Sequence, residues 1–366
     1  MNFEQRLQET LERRISEGAF RELRLHPGLF DFCSNDYLGM AAMEFKIPKK
    51  NGGSTGSRLL TGNTAEALAL EEYLAGFFKS EAALLFNSGY VANTGLLSCI
   101  AKKNDLIVYD ELCHASLRDG IRLSNARNFS FAHNEVFDLK QKIQRAGCEG
   151  QIFIVTESVF SMDGDIAPLK EIFEVAEQLN ARVIVDEAHA VGVWGEQGRG
   201  LAQDFANRKE LLARIVTFGK AIGSHGAAII GSELLKNYLI NFSRPFIYTT
   251  ALPPVILEEI KIRFQKMETM DEERSRLFKN VEFFKEQLVA SKLRHLKSNT
   301  AIQCVIIPGN HEVKRWSRYM HEKGYDVRPI LSPTIPEGSE RLRFCIHSFN
   351  CFEQIQNLFV ELANME

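Results

Sequence analysis

The chain has 366 residues, 45% hydrophobic and 25% charged, with a formal net charge of -3. That length allows two domains and a large core, and the charge leaves no basic excess to hold nucleic acid. Seven cysteines (33, 99, 113, 148, 304, 345 and 351) form no C-x-x-C pair, which suits free thiols in a reducing compartment and argues against a structural zinc.

In residues 1–24, Phe3, Leu7, Leu11 and Ile15 recur at i, i+4 among Glu4, Arg6, Glu9, Glu12, Arg13 and Arg14. The spacing predicts an amphipathic helix without a signal-peptide h-region. No run reaches the ~18 apolar residues of a membrane span, so the expected location is the cytoplasm. From residue 66 onward helical and strand patterns alternate, predicting an α/β fold with a mainly parallel, helix-covered sheet. Residues 82–86, 106–109, 152–156, 182–186, 214–218 and 226–230 read as about six buried strands, and 66–78, 91–102 and 168–180 as helices. Past Pro253-Pro254 a long helical pattern over 255–290 leads to strand-like 301–307 and 342–346. The expected organisation is an N-terminal helix and arm over 1–40, a large domain over 41–265 and a small C-terminal domain over 266–366.

Ligands of such sheets gather at the carboxyl ends of the strands. Lys220 follows the run 214–218 and Gly219, and a lysine held at a strand end is a candidate for Schiff-base chemistry once its amine is neutral. Asp186 ends the run 182–186, with His189 three residues on. It could keep a pyridine nitrogen protonated, or simply cap the next helix. A helix-sized stretch and another strand are expected between Asp186 and Lys220, which puts both at the same edge of one sheet. Asn87-Ser88-Gly89-Tyr90 sits between a strand and a helix, so its N–H groups could seat a phosphate, or Ser88 could be a plain helix cap. Thr217 could add a hydroxyl there. His114 follows the strand at 106–109 and offers a flat ring for stacking; no second ligand at helical spacing makes it a metal site. Pyridoxal phosphate requires such a lysine, an acidic partner for its ring nitrogen and donors for its phosphate. The glycine loop over 52–62 lacks the lysine-serine ending of a P-loop and a strand before it.

Motifs along nearly the whole chain carry a resemblance. They are Ser34-Asn35-Asp36-Tyr37-Leu38-Gly39, the run Gly53 to Asn63, His114-Ala115-Ser116, Val159 to Asp165, Asp186-Glu187-Ala188-His189, Thr217-Phe218-Gly219-Lys220 and Arg341-Leu342-Arg343. In this order they resemble the α-oxoamine synthases, fold-type I pyridoxal-phosphate transferases that join an amino acid to an acyl thioester with loss of carbon dioxide. The resemblance implies an aspartate aminotransferase-like fold and an acyltransferase activity. It makes Lys220 the Schiff-base lysine, Asp186 the pyridinium partner and His114 the stacking residue. Ser161 and His189 would contact the ring's phenolic oxygen, and Gly89, Tyr90 and Thr217 would hold the phosphate. Thr249 and Thr250 would reach the phosphate of a neighbouring subunit, implying a homodimer. Asn35 and Arg343 would hold the amino-acid carboxylate, a task suited to bidentate guanidinium geometry. The order Thr55 to Asn63 leans toward the branch that uses L-alanine and a pimeloyl thioester, carried on coenzyme A or acyl-carrier protein. Glycine C-acetyltransferase and serine palmitoyltransferase chemistry are the alternatives. The chain departs from the family pattern in a short stretch before Asn35, in Glu187 where a second aspartate is commoner, and in Leu331-Ser332.

Overall fold

A computed structural model describes residues 2–23, 25 and 28–365. Helix α1 (Phe3–Ser16) starts at a capping box of Asn2 and Gln5 and is followed by strand β1 (Phe30–Asp31). The helix is shorter than the apolar pattern over 1–24 suggests, and Met1 and Arg24 lie outside the described residues. Its stripe of Phe3, Leu7, Leu11 and Ile15 is exposed.

Next come α2 (Ala65–Phe77), β2 (Ala82–Phe86), α3 (Gly89–Ile100), β3 (Leu106–Asp110), α4 (Ala115–Leu123), β4 (Arg127–Phe131), α5 (Val136–Ala146), β5 (Ile152–Glu157), α6 (Leu169–Gln178) and β6 (Ala181–Asp186). Then follow β7 (Leu211–Thr217), β8 (Ala227–Gly231), α7 (Glu233–Phe242), α8 (Arg244–Ile247) and α9 (Pro254–Glu268). The last part of the chain holds α10 (Asp271–Ser291), β9 (Ile302–Ile306), α11 (Asn310–Glu322), β10 (Tyr325–Asp326), β11 (Arg328–Ile330), β12 (Arg341–Cys345) and α12 (Phe352–Ala363).

The chain divides into two compact units, one of Leu38–Ser161 and Ile166–Arg274, the other of Met1–Tyr37, Met162–Asp165 and Ser275–Glu366. In this division the two units part after Arg274. The N-terminal arm groups with the C-terminal residues because β1 pairs in parallel with β10, Phe30 opposite Tyr325.

The larger unit holds a seven-stranded sheet in the order β2-β8-β7-β6-β5-β3-β4. It is parallel except at β8, which runs antiparallel to β2 and β7. Successive residues serve opposite faces, as the two-residue period requires: Ile184 packs with Leu96, Leu117 and Ile229, while Val183 and Val185 pack with Ile154, Ile172 and Phe173. Continuous apolar runs are the signature of strands covered on both faces. The sequence reading omits the edge strand β4, Arg-Asn-Phe-Ser-Phe, whose first three residues are exposed and give no apolar run.

Two other expectations give way. No α-helix lies between Asp186 and Lys220; short 3-10 turns at Glu196–Gly198 and Leu201–Phe205 take its place. Gly192, Gly195, Gly198 and Gly200 have φ of +75 to +89° there, which a helix cannot accommodate. The helical stretch 255–290 is broken into α9 and α10 at buried Met270. Arg274 occupies the break, donating to Met267 O at 3.0 Å and to Glu268 O at 3.5 Å, so carbonyls that a continuous helix would use are satisfied by a guanidinium.

The smaller unit is built on the antiparallel sheet β11-β12-β9. Its core joins Phe284 of α10 to Phe344 of β12 and Phe359 of α12, ring centroids 5.3 and 4.9 Å apart.

Candidate active site

The site in the larger unit grows from the ends of β6 and β7, where Asp186 lies opposite Ile215 in parallel register and Thr217 closes the neighbouring strand. Lys220 follows in a tight turn fixed by Phe218 N to Gly226 O (2.9 Å), Ser224 N to Phe218 O (2.7 Å) and Gly223 N to Lys220 O (2.8 Å). Phe218 is fully buried and meets Phe264 edge-on at 5.5 Å, so the backbone carrying the half-buried Lys220 is anchored from below.

Asp186 is buried and held at both oxygens. Ala188 N donates to Oδ1 at 2.9 Å and Asn93 Nδ2 to Oδ2 at 2.7 Å. No helix follows it, so the capping alternative drops out. Asn93 also donates to Ser116 Oγ at 2.9 Å, and Ser116 Oγ lies 2.7 Å from His114 Nδ1. Ser116 N donates to the same nitrogen at 3.2 Å. That N–H makes Nδ1 the acceptor, so the Ser116 hydroxyl donates to it as well and the ring proton lies on Nε2. Burial of part of the ring lowers its pKa and Lys220 adds to this, against an opposing effect of Asp186.

Glu157 ends β5 directly opposite Asp186. It is buried and accepts the backbone N–H of His114 at 2.6 Å. Burial, with Asp186 adding to it and Lys220 opposing, pushes its pKa up to about 8. Neither Asn93 nor Glu157 stands out in the sequence reading. Glu157 ends an apolar strand in an acid just as Asp186 does, so its signal is in the sequence, whereas Asn93 lies inside α3, where nothing in the sequence shows what its side chain reaches.

Ser88 caps α3, accepting from Val91 N at 3.3 Å. The first turn still leaves the N–H groups of Gly89 and Tyr90 without intrahelical acceptors. A Cβ at Gly89 would stand 2.5 Å from Thr217 Cγ2, so glycine is what lets the end of β7 approach the helix start. Thr217 Oγ1 is buried there without a partner. Unpartnered N–H groups, a positive helix end and a spare hydroxyl form a seat for an anion, so the residues present fit the phosphate of pyridoxal phosphate. The Tyr90 side chain leaves the seat free, its hydroxyl donating to Asp119 Oδ2 at 2.6 Å. Asn87 Nδ2 donates to Thr249 Oγ1 at 3.2 Å and to Thr250 O at 2.8 Å, which fixes the loop that carries both threonines. Buried His189 sits in the turn after Asp186, and Ser161 follows the bridge between Val159 and Ile166.

Asn35 and Arg343 belong to the smaller unit and meet there. Asn35 Oδ1 accepts from Arg343 Nη2 at 3.1 Å and from the Tyr37 hydroxyl at 3.3 Å. The loop carrying Asn35 is fixed by His347 Nε2 on Ser34 O (2.9 Å), Asn350 Nδ2 on Asp31 O (3.1 Å) and Ser348 N on Tyr37 O (2.9 Å).

The profile of the aminotransferase class I and II family matches residues 27–355. An 8-amino-7-oxononanoate synthase of Lysinibacillus sphaericus is 39% identical over 91% of this chain and 88% of its own length. One of Emericella nidulans is 37% identical over 98% and 94%. Among solved structures, a serine palmitoyltransferase of S. paucimobilis with bound PLP-myriocin has a TM-score of 0.88 at 27% identity, covering 100% of this chain and 98% of that one. The 8-amino-7-oxononanoate synthase of Francisella tularensis has a TM-score of 0.80 at 32% identity, covering 92% and 97%. The chain belongs to the class I and II aminotransferase family, and within it to the α-oxoamine synthases.

Proposed function

We propose that this protein is a pyridoxal-phosphate-dependent acyltransferase of the cytoplasm. It condenses L-alanine with a pimeloyl thioester, releasing carbon dioxide and giving 8-amino-7-oxononanoate for biotin synthesis. The observation that carries the cofactor reading is the pairing of a doubly bonded, buried Asp186 with an unpartnered Thr217 hydroxyl at the start of α3, on adjacent strands of which the second runs on to Lys220. The choice of branch is supported by sequence: identity is 37–39% to the two curated 8-amino-7-oxononanoate synthases above and 27% to the serine palmitoyltransferase. The higher TM-score of the latter weighs less, since related enzymes share a fold across different substrates.

When bound, pyridoxal phosphate supplies an electron sink for negative charge at the amino acid's α-carbon. The Lys220 amine would anchor it covalently, and the freed amine would take the α-proton and later return one. Asp186 would keep the ring nitrogen protonated by its opposite charge. His114 would stack on the ring, and Ser161 and His189 would hold its phenolic oxygen. Gly89, Tyr90 and Thr217 would hold the phosphate, joined by Thr249 and Thr250 from the neighbouring subunit of a homodimer. Asn35 and Arg343 orient the amino-acid carboxylate. The α-carbon then bonds to the thioester carbonyl carbon, the thiol leaves, and the carboxylate departs as carbon dioxide.

Lys220→Ala should abolish the visible absorbance of the lysine-bound cofactor and all turnover, because it removes the amine that forms the bond; an unchanged spectrum would remove the assignment. Carbon dioxide release from alanine, glycine and serine with pimeloyl, acetyl and palmitoyl thioesters decides the branch. One methyl is discriminated by only ~1–3 kcal/mol, so some glycine turnover is expected beside alanine. A preference for serine with the palmitoyl thioester would transfer the protein to the serine palmitoyltransferase branch, which the structural likeness favours as the second reading.

A further inference from the structure

Asp110, Glu157 and Asp186 end three neighbouring strands of the sheet, β3, β5 and β6, and all three are buried. Their surroundings differ. Asp186 has two N–H donors. Asp110 Oδ1 meets His133 Nδ1 at 2.9 Å, and Asp110 also accepts Leu112 N and Asn134 N, both at 2.8 Å. Glu157 accepts the backbone N–H of His114 at 2.6 Å, at the residue that opens α4. That helix begins with His114 as its cap, so the position of the imidazole depends on where this N–H is held. The contacts close a ring through the site: Glu157 to the His114 backbone, the His114 ring to Ser116, Ser116 to Asn93, Asn93 to Asp186, and Asp186 beside Glu157 across the β5–β6 ladder.

We propose that Glu157 is a positioning residue that fixes His114 for the cofactor ring, and that it does so as a neutral carboxylic acid beside Asp186. Glu157 and Asp186 are register partners on adjacent strands, strands about 4.8 Å apart, so their side chains leave the same face of the sheet, and neighbouring like charges out of water resist simultaneous ionisation. The remaining groups around Glu157 agree. Asp110 and Asp186 oppose its charge, Lys220 and the His114 N–H favour it, and Cys113 and His114 are neutral; burial outweighs the favourable pair. The inference rests on the proposed stacking role of His114.

The test uses the cofactor-loaded protein and reads cofactor affinity and the visible cofactor absorbance across a pH series. Glu157→Leu removes the acceptor and should weaken pyridoxal phosphate binding at least ~10-fold, the usual effect of stranding a buried N–H. Glu157→Gln keeps a neutral acceptor of the same shape and should restore the affinity to within about threefold of the parent. The parent's absorbance should show a pH-dependent step from the ionisation of Glu157, raised from the ordinary carboxyl range by burial, which E157Q lacks. Glutamine failing as badly as leucine, leucine binding as tightly as the parent, or identical pH curves for parent and E157Q would each overturn the proposal. Should E157L fail to fold, the pH comparison of parent with E157Q still decides. A parent protein with no visible absorbance would instead overturn the cofactor assignment itself.

Discussion

Thr217 shows how a residue without a partner identifies a site. A buried hydroxyl left unpaired costs about 1–3 kcal/mol, and Thr217 Oγ1 is in that position in the cofactor-free chain. Thr217→Val should therefore act with opposite signs on two measurements: the cofactor-free protein keeps or gains thermal stability, while pyridoxal phosphate affinity falls about 5- to 50-fold. A loss of stability without a loss of affinity would give Thr217 a packing role. Asp186→Asn preserves shape and removes charge, so turnover should fall ~10²–10³-fold in a steady-state assay while some cofactor binding persists. Glu157 adds a pH dependence whose sign is fixed. Its pKa is about 8 in the folded chain against an ordinary 4.5, so folding favours the protonated form. The stability this contributes is fully present below pH 4.5 and is lost as pH rises through about 8, by at most about 1.4 kcal/mol per pH unit. Urea midpoints of the cofactor-free protein should fall across that window more steeply than those of E157Q. Lys220 and Asp186 are legible in the sequence because each ends an apolar run. Asn93 is not, since an asparagine inside a helix carries no signal of what its side chain reaches.

At the level of elements, the join between β6 and β7 depends on a buried ion pair. Glu187 and Arg214 are 0% and 2% exposed. Arg214 Nε donates to Glu187 Oε2 at 2.6 Å and Nη1 to Gln203 Oε1 at 2.7 Å, while Nη2 meets Arg199 O. Ala202 N donates to the other Glu187 oxygen at 2.8 Å. This gives a physical account of glutamate where the family more often has aspartate: the carboxylate spans from the strand end to both Arg214 and the 3-10 turn at Leu201–Phe205, and aspartate is one methylene shorter. Arg214→Met should destabilise by about 3–5 kcal/mol, because it strands Glu187 uncompensated, whereas replacing both partners with apolar residues should recover most of the loss. Chemical denaturation of the single and double variants measures this, and additive losses would contradict the coupling. The same pair explains why the sequence misleads here. Arg214 reads as the polar start of an apolar strand, yet the strand begins at Leu211 and the arginine lies inside it. Strands covered on both faces announce themselves by composition; the partly exposed edge strand β4 and the break between α9 and α10 depend on tertiary partners and do not.

At the scale of the molecule, the proposed homodimer should appear in light scattering as twice the chain mass at assay concentrations, and an active monomer would refute the role given to Thr249 and Thr250. The path of the chain has a consequence of its own. Residues 162–165 interrupt the larger unit's sequence but fold with the smaller one. There Arg341 Nη1 holds Asp163 Oδ1 at 2.7 Å, and the hydroxyls of Ser298 and Thr300 donate to Gly164 O at 2.7 and 2.8 Å. Neither unit is therefore a single uninterrupted stretch of polypeptide. On a ribosome the larger unit can complete its sheet early, but the four-residue detour waits until residues 298–341 have been synthesised. A gene cut to residues 38–274 would leave that detour without its clasp, the first place for a protease to nick.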